Sequence, residues 1–257
     1  MADSDLLLQN TALYTEVADL LGYTRDDSNH TTEMVARIQK AMDKGYADFI
    51  GEHDWTFLRK YATIVTTAPY STGTIAVTND DATVTLSDGT WPSWAAQGSL
   101  YYDGVEYDVS SRTDDTHIEL LDNFTGTTAS GETYELRRLY YDLPDDFASV
   151  CQWFTFSSEH TRGRLSQTSY SRIQLHRAGN VSTTYPEEFA VLPKVSDGSA
   201  DQKYRAMFFP LADGTYQLFY SYYIMPTQKV DGNATYAVGG PEYSQAIQDC
   251  MLSAARV

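Results

Sequence analysis

The sequence predicts an α+β protein, with a helical base, β-hairpin elements and an inserted small antiparallel β-barrel or sandwich module. Three observations carry this reading. Apolar residues recur at helical spacing near the start and end of the chain. Between Thr63 and Arg138, short alternating runs such as Thr74 to Thr78 and Thr83 to Ser87 are separated by Asn-Asp-Asp, Asp-Gly and Ser-Gly, a pattern of strands folded back on one another by turn residues. Beyond that stretch, long apolar β runs lead into a final helix. The expected division is a body formed by 1–62 and 139–257, with the β module at 63–138.

Taken in order, Thr11 is the expected cap of a first helix carrying Leu13, Val17, Leu20 and Leu21 on one face, with Gly22 as its left-handed stop. Thr31 or Thr32 caps a longer helix whose stripe, Met34, Val35, Ile38, Met42, Tyr46, Phe49 and Ile50, ends near Gly51. Such a stripe is core or a surface shared with a neighbouring subunit. In the segment HDWTFLRKY, Trp55, Phe57 and Leu58 crowd large apolar groups just before the β module and are expected to anchor it. His53 and Asp54 beside them read as a surface or capping pair.

Within the module about six strands are expected, with turns at Asp88-Gly89, Asp103-Gly104 and Ser130-Gly131. The segment WPSWAAQGSL breaks the alternation and reads as a loop across one end of a barrel or sandwich. Its Trp91 and Trp94 seal a core or, exposed, form a stacking platform for a sugar ligand. After Pro144, Asp145-Asp146 launches the apolar stretch Phe147 to Phe156. The polar segment from Glu159 to Asn180 holds the basic concentration of the chain, including Arg162, Arg164, Arg172, His176 and Arg177. Either it is a solvated face or its arginines form an arm that docks on an acidic partner, such as another copy of the chain. Three β runs follow, Phe189 to Leu192, Tyr204 to Leu211 and Thr215 to Ile224. Gly239-Gly240-Pro241 then opens a last helix with Tyr243, Ile247, Met251 and Ala254 on its apolar side.

Composition limits the function. With 257 residues, 42% of them hydrophobic, the chain can bury a substantial core. No apolar run approaches the roughly 18 residues of a membrane span, and MADSDLLLQN carries acids where a signal peptide would carry Lys or Arg. Cys151 and Cys250 belong to no CxxC pair, so thiols in a reducing cytoplasm are expected. The formal net charge of -17 works against gripping phosphate backbones and suits a surface past which a polyanion slides. The Asp-Asp doublets at Asp26, Asp80, Asp114 and Asp145 occupy predicted turns, and no calcium loop, HExxH, phosphate-binding loop or nucleophile elbow is present. No enzymatic activity, cofactor or metal is therefore expected.

The order of parts resembles the head-to-tail connector, or adaptor, proteins of tailed bacteriophages. The matching stretches are His53 to Tyr61, TGTIAVTNDDATVTLSDGTW, YELRRLYYDLPDDF, MFFPLADGTYQLFYSYYIMP and GGPEYSQAIQDCMLSAA; the segment from Glu159 to Pro186 has no counterpart in the pattern. The resemblance implies a homo-oligomeric ring, usually of twelve copies, assembled in the host bacterial cytoplasm. It would sit in the virion at the portal vertex, bound to the portal protein above and to tail tube, nozzle or fibre proteins below, with genomic DNA passing through unbound. On this reading the last helix docks on the portal through Tyr243, Ile247, Met251 and Leu252. The alternatives are a carbohydrate-binding or glycan-degrading tail component using Trp91 and Trp94, and a capsid decoration protein.

Overall fold

A computed structural model describes residues 8–158, 160, 162–179, 182–195, 198–199, 201–226 and 236–256. Helices α1 (Asn10–Leu20) and α2 (Thr32–Gly51) open the chain, followed by strands β1 (Arg59–Val65), β2 (Thr74–Val77), β3 (Thr83–Ser87), β4 (Gly98–Tyr102), β5 (Val105–Arg112) and β6 (His117–Leu120). Next come β7 (Ala129–Glu132), β8 (Glu135–Arg138), β9 (Tyr140–Asp142), β10 (Phe147–Phe156) and β11 (Ser166–Gln167). Helix α3 (Tyr170–Gly179), β12 (Glu188–Pro193), β13 (Tyr204–Phe209), β14 (Gln217–Ile224) and α4 (Ser244–Ala255) complete it. The α+β class is as the sequence predicts. Much of the loop expected before Gly239 lies outside the described residues.

The chain divides into two compact units, one holding residues up to Lys60 together with those from Tyr223 onward, the other Tyr61–Tyr222. The inserted unit is thus wider than the stretch 63–138. The reason lies in sheet pairing: β9, β12 and β13 form a four-stranded sheet with β11, in the order β11-β12-β13-β9, so the return segment after Arg138 builds sheet within the same unit.

In the helical unit, α1, α2 and α4 bury Leu13, Val17, Ile38, Met42, Tyr46, Phe49, Ile247 and Met251 together. Thr31 caps α2 by accepting a hydrogen bond from the Met34 N–H at 3.3 Å. The expectation for α1 is corrected: Gln9, not Thr11, precedes its first turn and makes no side-chain cap, while Thr11 lies inside the helix. Gly22 does take the left-handed conformation, with φ of 78°.

In the inserted unit, seven strands run in the order β7-β2-β3-β6-β5-β4-β8. This sheet curls until Tyr70, just ahead of β2, exchanges two backbone hydrogen bonds of 2.8 Å with Leu136 of β8. The inner face of the half-barrel is filled by Ile75, Val84, Leu86, Trp91, Leu100, Ile118 and Leu136. Asp88 and Asp103 adopt left-handed backbone at its turns (φ of 59° and 49°), a conformation that Asp tolerates through local hydrogen bonding. A third sheet, in the order β1-β14-β10, lies against the four-stranded one. Phe154 of β10, beside Tyr220 of its own sheet at 4.5 Å, meets Phe189 at 4.7 Å and Phe208 at 5.1 Å across the interface, and Phe147 meets Tyr204 at 5.5 Å.

Candidate interaction surfaces

The last helix carries the first candidate site. α4 starts after a single 3₁₀ turn at Pro241–Tyr243, and its apolar stripe is consumed inside the helical unit, where Ile247 and Met251 are fully buried. Gly45 of α2 permits this, since a Cβ there would fall on the Met251 and Cys250 backbone. Tyr243 is half-buried in a ring cluster with Trp55 at 5.2 Å, Phe57 at 5.1 Å and Phe49 at 6.1 Å. Of the four expected docking residues, then, two are core, Tyr243 is held in the ring cluster and Leu252 remains half-exposed. A helical stripe shows that a face is covered and is silent on whether the cover is the same chain or a partner.

The anchor residues fold the same way. Trp55 stacks on Phe49 at 4.6 Å and donates its indole N–H to the Phe49 carbonyl at 2.9 Å. Phe57 lies against Gly239, and Leu58 is buried. Trp55 and Phe57 therefore tie the end of α2 to the entry of α4. Beside them, Ala47, Asp48, Gly51, Glu52, Cys250 and Ser253 line a shallow groove of about 580 Å³. Burial, and then Asp249, Asp48 and Glu52, push the Cys250 thiol up, so it stays protonated and unreactive at neutral pH.

In the half-barrel, Trp91 is 1% exposed. Its candidacy as an exposed contact is corrected: Pro92 turns the chain so that the indole plugs the barrel core, packing on Tyr134 at 5.2 Å and Tyr70 at 6.2 Å. Trp94 is half-buried against the same core, with the Arg138 guanidinium 5.9 Å above its ring. Arg138 is engaged further by the Gln97 side chain at 2.9 Å. Trp91 and Trp94 therefore do not form a pair of free stacking rings.

Of the four basic arm candidates, Arg162, Arg164 and Arg172 are exposed and rest on side chains of their own chain, and Arg177 turns inward. Arg162 lies over the Tyr185 ring, Arg164 over Trp153 at 4.6 Å, and Arg172 pairs with Glu188 at 3.0 Å. Arg177 reaches from α3 to the half-barrel, where it meets Glu106 and Asp108 of β5, each at 2.9 Å. Its side chain and that of Glu106 are each 9% exposed. Burial alone would lower the Arg177 pKa, and the attraction of Glu106 and then Asp108 outweighs it, so the net shift is upward and the cation is permanent. An adjoining groove of about 460 Å³ is lined by Glu106, Asp108, Asp122 and Gln174 among others. With two carboxylates on one guanidinium, the site has no charge left for an anion.

What stays open is the outer face of the three-stranded sheet. Tyr61 is 79% exposed, Val65 50% and Phe219 45%, and a groove of about 420 Å³ runs between β1, β14 and β10 past Tyr61, Thr63, Gln152, Thr155 and Phe219. None of the three strands contains Asp or Glu, in a chain with 35 of them.

Among the described residues no group of three or more His, Cys, Asp or Glu side chains is placed to hold a metal ion, and no helix is long and apolar enough to cross a membrane. No family model matches the chain, and no curated protein matches it.

Proposed function

We propose that the protein is a structural head-to-tail connector, forming a ring beneath the portal that joins a filled bacteriophage head to its tail. The observation that carries this is the order of parts: a helical unit built from the two ends of the chain, with a β-rich unit inserted between them, which is the arrangement of the connector proteins the sequence resembles. The net charge of -17 supports it, because a duplex moving through an acidic channel is repelled from the wall and does not stick. The mechanism is geometric. Contacts between subunits close the ring, and the portal contact falls to the exposed side of α4, where Gln245, Asp249 and Ser253 flank Leu252.

Negative-stain imaging of the purified chain, alone and mixed with portal protein, tests this. The expected result is a ring with a central hole that caps the portal. Particles that lack this protein yet retain DNA and join tails normally would falsify it.

A further inference from the structure

We infer that copies of this chain join edge to edge, β1 of one copy pairing with β10 of the next, so that the three-stranded sheet continues from subunit to subunit. The inference rests on the ring reading and names the surface that closes the ring. β1 and β10 are the two outer strands of the order β1-β14-β10. An outer strand leaves alternate N–H and C=O groups without a ladder partner, a template for another strand.

The hydrogen bonds indicate which groups point outward. The Thr66 N–H donates to the Tyr216 carbonyl at 2.9 Å, so along β1 the even-numbered residues face β14 and Tyr61, Thr63 and Val65 face the open side. The Ser157 N–H donates to the Gln217 carbonyl at 3.0 Å, and the Phe154 carbonyl accepts on the opposite side from Leu165 at 2.7 Å. On β10, therefore, Ala148, Val150 and Gln152 face outward, and among the described residues no strand pairs with that edge from Phe147 to Trp153.

Direction and charge then select the partner. Thr66 meets Tyr216 at one end of β1, and Arg59 reaches the Tyr223 hydroxyl at the other, 3.1 Å away. Ser157 meets Gln217, and the Tyr222 hydroxyl donates to Asp146 at 3.0 Å. Both outer strands thus run opposite to β14 and parallel to each other. Continuing the sheet from β10 of one copy into β1 of the next sets like-directed strands side by side and brings Arg59-Lys60, at the start of β1, next to Asp145-Asp146, just ahead of β10, where Lys203 of the same chain already lies 3.5 Å from Asp145. Copies carrying a charge of -17 repel almost everywhere; these acid-free strands let them approach. A foreign partner would need one edge. Two different edges of matching direction and complementary charge fit a head-to-tail interface, which closes into a ring when the rotation per subunit divides the circle.

The test uses proline, which an outer strand tolerates where its N–H faces solvent but which blocks pairing there. Full-length Thr63→Pro and Gln152→Pro chains are weighed by sedimentation beside the wild type. Expected are a wild-type ring, each variant alone at the 28.8 kDa of a single chain, and a mixture of the two giving a complex of twice that mass and nothing larger. Each partner then supplies the one edge the other lacks. Assembly of either variant to wild-type size, or a mixture that stays monomeric, overturns the pairing while the ring reading stands. A wild-type chain that forms no ring sinks both. Should a proline variant lose its far-UV spectrum, hydrogen exchange on the wild type decides: the Thr63 and Gln152 amides become protected on assembly if paired, and exchange as in the monomer if not.

Discussion

Arg177 shows how much of this fold turns on single side chains that look like surface in the sequence. Its guanidinium is buried between Glu106 and Asp108, so removing it leaves a desolvated carboxylate with no counter-charge. Arg177→Met is expected to destabilise the chain by about 3–5 kcal/mol, and Arg177→Met with Glu106→Gln by less, because the uncompensated charge is gone. Urea unfolding followed at two wavelengths measures both. Asp114 is the opposite case, an exposed turn residue. The Thr116 backbone N–H and then the His117 side chain hold its carboxyl far below the ordinary 3.8. A depressed folded-state pKa contributes stability that is present above pH 3.8 and is lost as pH falls through the folded value. In a carboxyl NMR titration Asp114 should show no inflection near pH 3.8, and Asp114→Asn should flatten the acid limb of the stability curve. A normal midpoint would mean that the turn does not hold in solution.

At the scale of elements, what was legible followed from periodicity and turn chemistry. α2, with Thr31 and Gly51 at its ends, and the Asp-Gly turns of the half-barrel stand where the sequence places them, whereas Ser130-Gly131, expected as a turn, lies inside β7, and the sheet has seven strands where about six are expected. α3 was hidden because only Ile173 and Arg177 are buried along its ten residues, and a buried arginine reads as a solvated one. Ile247 and Met251 of α4 read as docking residues because they give the same stripe whether α2 or a partner covers them. Gly45 carries the deciding information, since its missing side chain lets α4 approach, but a lone Gly inside a helix reads only as a weak helix former. Gly45→Ala separates the two effects. Helix propensity favours Ala by up to about 1 kcal/mol, while overpacking costs about 1–3 kcal/mol, and here the obstacle is the Met251 backbone, which cannot rotate away. A net loss is expected, lowering the melting temperature by about 2–4 °C per kcal/mol. A rise in the thermal midpoint by circular dichroism would show that α2 and α4 do not touch at Gly45.

At the scale of the whole molecule, the net charge of -17 opposes assembly and the proposed edge pairing would favour it, and salt tells them apart. Repulsion between copies acts across distances that salt shortens, from a Debye length of about 10 Å at 0.1 M to about 3 Å at 1 M. Salt also screens the Arg59-Lys60 and Asp145-Asp146 contacts across the proposed junction. Exposed pairs of that kind contribute only about 0–1 kcal/mol each, whereas backbone hydrogen bonds between strands are nearly indifferent to ionic strength. The long-range repulsion is thus the larger salt-sensitive quantity. Raising sodium chloride from about 0.02 M to about 0.5 M should lower the protein concentration at which half the chains are assembled, as read by mass photometry. DNA binding depends on salt with the opposite sign, because phosphate contacts release counterions and weaken as salt rises. A chain that assembles better and still ignores duplex DNA as salt increases behaves as a ring held by its sheet edges around a repelling channel. Assembly that weakens with salt would instead place the junction on charged side chains, and the strand edges would have to be abandoned as its seam.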